Sequence, residues 1–201
     1  MSVDYPTKRA FDATVAAFGL IASAPLLGVL AVAVRLASPG PAWHRSARVG
    51  RNGTLFTLLK FRTMRIGAQV SGPAITASGD ARITKLGALL RRSKLDELPQ
   101  LINVIRGDMS VVGPRPEDSR YVDRYDDEQR HILSWRPGVT SPASVTYRDE
   151  ERVLARAADL EAAYQQLSAE KLRIDLAYFP TSTLRSDLAV IARTVLAIVR
   201  R

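Results

Sequence analysis

The feature of this sequence that most directly offers chemistry is a pair of adjacent carboxylates, Asp96 and Glu97, in the segment RRSKLDELPQL. Pro99 follows closely, and proline fits best in the first turn of a helix. The two carboxylates are therefore predicted at or just before a helix N-terminus. Unpaired N–H groups and the helix dipole favour negative charge there, including that of a phosphate.

Positive charge is concentrated around this pair. Five basic residues fall within 25 positions: Arg91, Arg92, Lys94, Arg106 and Arg115. They exceed what a helix cap needs, and they suit a ligand with several phosphate oxygens that a carboxylate nucleophile attacks. Two simpler alternatives stay open from the residues alone: Asp96 as a helix cap, and Arg92 with Asp96 as a surface pair at i, i+4.

Composition excludes several other classes of site. The 201-residue chain has no cysteine, which excludes disulfides, thiolate zinc sites and thiol nucleophiles. His44 and His131 stand alone without a second ligand at metal spacing, and they are predicted as interface or surface residues. A formal net charge of +9 indicates phosphorylated ligands, polyanions or an anionic membrane surface as partners.

A run of 22 residues without a charged side chain, residues 13–34, is long enough to cover roughly 33 Å as a helix. Basic residues flank both of its ends: Lys8 and Arg9 before it, and Arg35, Arg45, Arg48 and Arg51 after it. A helix that spans a membrane carries such residues mainly on the cytoplasmic side. Both ends of this run are therefore predicted at the cytoplasmic face.

The middle of the apolar run contains Ser23, Ala24 and Pro25. Proline removes a backbone donor and bends a helix, so residues 1–37 are predicted as a re-entrant membrane hairpin of helix, break and helix. Ser23 is expected to supply its hydroxyl to a backbone group that the break frees. A single spanning helix and a cleaved signal peptide are the alternatives.

Residues 38–201 are predicted as a membrane-associated catalytic domain that forms one structural unit with the hairpin, in a mainly helical α+β fold. The pair Asn52-Gly53 between β-prone segments predicts a small β-hairpin. Glycine, proline and small polar residues predict a mobile loop at residues 67–80 and a rigid turn-rich loop at residues 135–144.

Two short helices are predicted to meet near Asp96, the second ending at Gly107 before a proline-containing loop. Residues 150–179 are predicted to be mostly helical. A C-terminal amphipathic helix is predicted from apolar residues spaced by three and four: Leu184, Leu188, Ile191, Val195 and Ile198. Its arginines suit an interfacial helix on anionic lipid, and a packed core helix is the alternative.

Several motifs, in order along nearly the whole chain, together resemble the bacterial sugar transferases, which are the monotopic phosphoglycosyl transferases of glycan assembly. They are KRAFD at 8–12, the apolar run with its central proline, KFRTM at 60–64, LDELPQLINVIRGDMSVVGPRPE at 95–117, RPGVTSPAS at 136–144 and KLRIDLAYF at 171–179. The long central motif is highly specific.

This resemblance implies transfer of a sugar 1-phosphate from a UDP-sugar to polyprenol (undecaprenyl) phosphate, with release of UMP. The reaction would be the first membrane step of exopolysaccharide, O-antigen or glycoprotein glycan assembly, on the cytoplasmic side of the bacterial inner membrane. Asp96 matches the family's nucleophile, which forms a phosphosugar-aspartyl intermediate, and Glu97 matches a ligand of Mg²⁺. Matched to phosphate or nucleotide binding are Lys60, Arg91, and Arg115 between Pro114 and Pro116.

Two departures from the family's pattern affect these expectations. Ala24-Pro25 stands where the family has Ser-Pro at its helix break, and Ser141-Pro142 stands where many relatives carry Gly-Trp near the sugar pocket. The sugar, the glycan pathway and a homodimer are left open, and no nucleic-acid partner is expected. A different class of function also stays open: a non-catalytic membrane-anchored protein whose basic surface binds anionic lipid or nucleic acid.

Overall fold

The computed structural model describes residues 4–68 and 75–200, which form a mainly helical α+β fold, as the sequence predicts. The α-helices are α1 Lys8–Ala37, α2 Lys85–Ser93, α3 Gln100–Arg106, α4 Ser119–Val122, α5 Asp127–Arg130, α6 Pro142–Thr146, α7 Glu150–Leu154, α8 Leu160–Tyr178 and α9 Leu184–Val199. The strands are β1 Trp43–Val49, β2 Leu55–Phe61, β3 Ser110–Val112 and β4 Gly138–Thr140. Short 3-10 turns cover Arg51–Gly53, Leu95–Glu97, His131–Ser134 and Phe179–Thr181.

Helix α1 is one continuous 30-residue helix with Pro25 inside it, which differs from the predicted helix, break and helix. A proline removes only its own hydrogen bond, to the carbonyl of Ile21, so the turns on either side can stay helical. The prediction for Ser23 is also wrong in detail. Its hydroxyl donates to the carbonyl of Gly19 at 2.6 Å, one turn back from Ser23 itself, rather than to Ile21.

Both ends of α1 pack against the rest of the protein. Ala16 belongs to the main hydrophobic core with Val104, and Leu30 belongs to a second core with Phe61. Residues 17–29 between them contain no buried side chain. By length and composition α1 can cross a membrane.

Two arginines hold the ends of α1 through backbone carbonyls. Arg9 donates to the carbonyls of Val104 at 2.5 Å and Ile105 at 2.7 Å, in the last turn of α3. Arg62, which follows β2, donates to the carbonyl of Ser38 at 2.7 Å, just beyond the end of α1. Cations at helix C-termini satisfy carbonyls that have no partner within the helix. Both ends of α1 are therefore fixed to the same body.

A buried ion cluster also fixes the N-terminus of α1. Lys8 lies 3.1 Å from Asp12 and 2.8 Å from Asp187 on α9. Asp12 accepts the backbone N–H of Val111 at 3.1 Å, and Asp187 accepts the hydroxyl of Tyr178 at 2.8 Å. This cluster ties α1, β3 and α9 together, far apart as they are in the sequence.

The predicted β-hairpin is confirmed. Strands β1 and β2 pair antiparallel from Trp43 opposite Phe61 to Val49 opposite Leu55. Asn52 and Gly53 both have positive φ, 56° and 78°, as the turn between them requires. The ring of Trp43 stacks on Phe61 with centroids 5.0 Å apart, next to the end of α1.

The second sheet was not predicted. Strands β3 and β4 pair in parallel within segments predicted as a proline-containing loop after Gly107 and a turn-rich loop at residues 135–144. A Cβ atom on Gly113, just after β3, would collide with backbone of Arg136 and Gly138, and one on Gly138 would collide with backbone of Gly113, so the close approach depends on glycine at both positions. Three-residue strands that pair across the chain leave no periodic signal.

Residues 69–74 of the predicted mobile loop lie outside the described residues. The part that follows is packed: Ile75 is buried with Leu154 and Leu167, and the N–H of Ser78 donates to the carbonyl of Glu151 at 2.9 Å. The prediction of helix over residues 150–179 is confirmed, since α7 and α8 cover most of that range.

Helix α9 forms as predicted, and the structure decides which face is inward. Asp187 and Val190 are buried. Four of the five stripe residues are exposed: Leu184, Leu188, Val195 and Ile198. The predicted apolar stripe is therefore mostly an outer surface rather than part of the core.

Candidate active site

Asp96 and Glu97 lie on a short turn between two helices, as the sequence predicts. Helix α2 ends because Lys94 takes a left-handed conformation with φ of 58°, and the 3-10 turn that follows carries both carboxylates. Pro99 then precedes α3. Asp96 and Glu97 are only 6% and 8% exposed, respectively.

The simpler roles for Asp96 do not fit this geometry. Arg92 lies on α2, which ends at Ser93, so Arg92 and Asp96 are not one turn apart on a single helix. Pro99 occupies the N-cap of α3, and no side-chain hydrogen bond caps that helix. The position of Asp96 therefore calls for another explanation.

One carboxylate oxygen of Asp96, Oδ1, is buried and has no hydrogen-bond partner among the described residues. Burial raises the pKa of Asp96, and the nearby charge of Glu97 raises it further, against the opposing effect of Lys60, Lys94 and Arg91. Buried polar atoms are nearly always hydrogen-bonded, so an unsatisfied oxygen indicates a functional role or an unfilled ligand contact.

Glu97 is held in its charged form. Burial alone would raise its pKa, but Arg115 and then Lys60 and Lys94 outweigh this, and the pKa falls below its ordinary value. Arg115 Nη2 lies 3.2 Å from Glu97 Oε1. The adjacent carboxylates thus differ, since one is paired with a cation and the other has an oxygen without a partner.

Lys60 and Arg91 flank the carboxylates. Burial lowers the pKa of Lys60 to about 8, although the charge of Glu97 acts in the opposite direction. Arg91 Nε donates to Thr63 Oγ1 at 3.1 Å, and its Nη1 lies 3.2 Å from Glu151. These contacts join α2 to the end of β2 and to α7.

Pro114 and Pro116 restrict the backbone dihedral angles on either side of Arg115. Pro114 is buried, and its carbonyl accepts the N–H of Gly138 at 2.7 Å. This bond ties the segment after β3, which carries Arg115, back to the start of β4, so the sheet that sequence reasoning missed helps to position Arg115.

The predicted phosphate-binding residues meet at one polar cavity of about 130 Å³. Its lining includes Arg48, Lys60, Arg91, Gln100, Arg115 and Pro116. Arg106 does not join this group, since it is exposed at the far end of α3. Arg92 and Lys94 line a different cavity, next to Glu97.

Two residues that matter for positioning escaped the sequence analysis. Asn103 is fully buried; its Nδ2 donates to the carbonyl of Thr57 at 2.8 Å and its Oδ1 accepts the N–H of Leu59 at 3.1 Å. It braces α3 against the strand that carries Lys60. Glu150, paired with Lys171 at 2.6 Å, lines both cavities. A polar residue within the apolar pattern of α3 signals Asn103, but no local pattern signals Glu150.

The departure at Ser141-Pro142 has a structural role. Pro142 occupies the first turn of α6, and Ser141 Oγ accepts the N–H of Ser144 at 3.0 Å as its cap. Proline at such a position is well tolerated because its missing N–H has no partner in the helix anyway.

At this site the protein by itself supplies only part of the ligands that a divalent metal needs. Among residues 4–68 and 75–200 no group of three or more His, Asp or Glu side chains is placed to hold a metal ion, and His44 and His131 join no such group. Mg²⁺, however, is commonly held by one or two carboxylates together with substrate phosphates. Glu97, which is held in its charged form, fits that arrangement as the carboxylate from the protein.

Comparison with known proteins finds a matching family and relatives over nearly the whole chain. A family described as bacterial sugar transferase matches residues 3–201. The chain is 39% identical over 191 residues to "UDP-glucose:undecaprenyl-phosphate glucose-1-phosphate transferase" of Caulobacter vibrioides, covering 94% of this chain and 68% of that protein. It is 36% identical over 208 residues to "Exopolysaccharide production protein PSS" of Rhizobium leguminosarum bv. phaseoli, covering 97% and 96%.

A third relative is longer. The chain is 34% identical over 193 residues to "UDP-N-acetylgalactosamine-undecaprenyl-phosphate N-acetylgalactosaminephosphotransferase" of Aeromonas hydrophila, covering 94% of this chain and 42% of that protein. The sugars in these names differ, while undecaprenyl phosphate appears in both transferase names.

Proposed function

Because the chain belongs to the bacterial sugar transferase family, we propose that it transfers a sugar 1-phosphate from a UDP-sugar to undecaprenyl phosphate and releases UMP. The names of its relatives support the acceptor and the reaction class. The observation that carries the mechanism is the buried, unpartnered oxygen of Asp96, on whose carboxylate the charges of Lys60 and Arg91 act. Lys60 and Arg91 line the polar cavity together with Arg115.

In the first step, a carboxylate oxygen of Asp96 attacks the sugar-linked phosphorus of the UDP-sugar. A new P–O bond forms, the bond from that phosphorus to the bridging oxygen breaks, and UMP leaves with the electron pair. The short turn holds Asp96 in place, and its unpartnered oxygen needs to break no hydrogen bond before it attacks.

In the second step, a phosphate oxygen of the lipid acceptor attacks the same phosphorus. The bond between that phosphorus and Asp96 breaks, and the carboxylate is restored. The cations around the site neutralise phosphate charge in both steps, and Arg115 is held for this by Glu97.

Glu97 would hold Mg²⁺ together with the diphosphate of the donor, which leaves the unpartnered oxygen of Asp96 for the attack. When bound, the ion neutralises phosphate charge that would otherwise repel the carboxylate nucleophile. Glu97 must stay charged to hold the ion, and its pairing with Arg115 favours the charged form.

We also propose that α1 is a re-entrant membrane element at the cytoplasmic face of the inner membrane. Arg9 and Arg62 fix its two ends to one body, while residues 17–29 offer an apolar surface with no buried side chain. The exposed apolar stripe of α9 would then lie at the membrane interface.

The reaction is tested by incubating the protein with undecaprenyl phosphate and a panel of UDP-sugars and measuring UMP. UMP release with at least one donor, ping-pong kinetics and a phosphosugar adduct on Asp96 seen by mass spectrometry are expected. Intersecting-line kinetics without an adduct would indicate direct transfer. Absence of UMP with every donor would favour a non-catalytic lipid-binding protein.

The membrane path is tested with single cysteines at Thr7 and Ser46, which lie just before α1 and on β1. Both are expected to react only with reagent added from the cytoplasmic side. Reaction from opposite sides would mean that α1 spans the bilayer.

A further inference from the structure

A second cavity, of about 240 Å³, shares part of its lining with the polar cavity. Arg115 and Glu150 line both, and Glu97 lines the larger one. Most of its wall is apolar and comes from α3, β4, α6 and α9, including Leu98, Leu101, Val139, Val145, Ile191 and Ile198. The turn therefore reaches the apolar cavity through Glu97, and the two cavities, of opposite character, share Arg115 and Glu150.

The apolar cavity also carries positive charge. Arg92, Lys94 and Arg148 line it in addition to Arg115. An apolar chamber with cations beside a catalytic carboxylate suits an amphipathic anion, with its phosphate at the cations and its hydrocarbon against the apolar wall.

This cavity is continuous with the exposed stripe of α9. Val195 and Ile198 line it, yet they are 53% and 42% exposed. Leu101, on its α3 side, is also the residue nearest to Gly19 of α1. A hydrocarbon chain can therefore leave the cavity along the surfaces that we assign to the membrane.

We propose that this cavity, here called the acceptor cavity, binds the phosphate and the first isoprene units of the polyprenyl phosphate acceptor. This inference rests on the proposed function, because it assigns a place to the second substrate of that reaction. The polar cavity is left for the nucleotide diphosphate donor, so the two substrates occupy different cavities that share Arg115. Such separation lets the lipid remain in the leaflet while UMP departs toward water.

The two steps of the reaction allow a direct test. Ala197 lines the acceptor cavity on α9, whereas Ala192 on the same helix is exposed and does not line it. Ala197→Trp fills the cavity, and Ala192→Trp is the matched control for a large ring on α9. Each protein is first loaded with donor in the absence of lipid, and UMP release and the Asp96 adduct are measured.

Loading is expected to match the parent in both variants. On addition of polyprenyl phosphate, transfer from the adduct is expected to be at least about tenfold slower in Ala197→Trp and unchanged in Ala192→Trp. Equal transfer by both variants would overturn the proposal, and so would a loss of loading confined to Ala197→Trp, because the cavity would then serve the donor.

A binding measurement on the unaltered chain does not depend on folding of a variant or on turnover. A photoreactive short-chain isoprenyl phosphate is expected to cross-link to residues of α6 and α9 that line the cavity, and excess polyprenyl phosphate should suppress this. Competition by phosphatidylglycerol at equal concentration, or cross-links confined elsewhere, would overturn the proposal. Cross-linking in the cavity by a protein that releases no UMP with any donor would leave the binding site intact and reject the proposed reaction.

Discussion

Buried carboxylates occur both at the N-terminus of α1 and at the turn between α2 and α3, and the two groups differ in how their oxygens are satisfied. At α1, Lys8 lies between Asp12 and Asp187, and Asp187 also accepts the hydroxyls of Tyr5 and Tyr178. At the turn, Glu97 has one ion pair with Arg115, and Oδ1 of Asp96 has no partner among the residues that the structure describes.

This difference separates a cluster whose charges are all satisfied within the protein from one that leaves an oxygen open to a ligand. A buried ion group whose members are all hydrogen-bonded holds elements together, and nothing in it is left for a ligand. A buried carboxylate kept without a partner is destabilising on its own, and such atoms are rare unless a function requires them. Burial alone therefore does not distinguish the two clusters, whereas a buried carboxylate oxygen without a partner does.

The largest expected effect is on turnover. Asp96→Asn should reduce UMP release by at least about 10⁴-fold, because the amide cannot attack phosphorus. It should leave the thermal unfolding temperature unchanged or raise it, because burial of a charge is removed.

Asp12→Asn is the matched test in the other cluster. It should lower the unfolding temperature and leave activity per folded molecule near that of the parent. Loss of activity by both variants in the same proportion would remove the distinction between the clusters.

Lys8→Met should lower the free energy of unfolding by about 3–5 kcal/mol, because it leaves two carboxylates buried without their shared cation. Denaturation in lipid nanodiscs measures this, with the exposed Lys85→Met as control. Adding Asp187→Asn to Lys8→Met should recover part of the loss. A stability equal to that of Lys85→Met would show that the cluster does not hold α1 to α9.

Arg115→Lys should reduce kcat/KM for the UDP-sugar roughly 10–100-fold, because an ammonium group does not reproduce the planar donor pattern of guanidinium. Arg124→Lys is the control, since its ion pair with Glu161 at 2.8 Å is exposed and far less consequential. Steady-state kinetics should show a loss only in Arg115→Lys, and equal values for both would indicate that Arg115 does not contact substrate.

The smallest effect concerns Asp175, which is buried with the N–H of Ala143 as a donor at 3.1 Å. Burial raises its pKa to about 6. The folded state then binds the proton more tightly than the unfolded state, so the free energy of unfolding should fall as the pH rises from about 4 to about 6.

Asp175→Asn should remove that part of the pH dependence and stabilise the protein at pH 7.5 by roughly 1–2 kcal/mol. Denaturation curves across this pH range measure the difference from the parent, with the exposed Asp127→Asn as control. A difference between parent and Asp175→Asn that does not change with pH would show that this carboxyl does not titrate on folding.

Features that depend on neighbouring residues could be read from the sequence. The turn at Asn52-Gly53 and the break before Pro99 follow from backbone preferences that act over a few residues, and α9 follows from helical spacing. The same rules misjudged Pro25, since proline is compatible both with a break and with a helix that continues through it.

Local pattern determined that Asp96 and Glu97 lie on a turn at the start of a helix amid many basic residues. Tertiary structure decided which basic residues act on them. Arg115 pairs with Glu97 whereas Arg106 does not, and Lys60 on β2 acts electrostatically on both carboxylates. It also decided that the stripe of α9 faces outward and that two cavities of opposite character share Arg115 and Glu150. The reason is physical, because backbone and helical preferences act between near neighbours, whereas these arrangements arise from packing between segments that no local pattern relates.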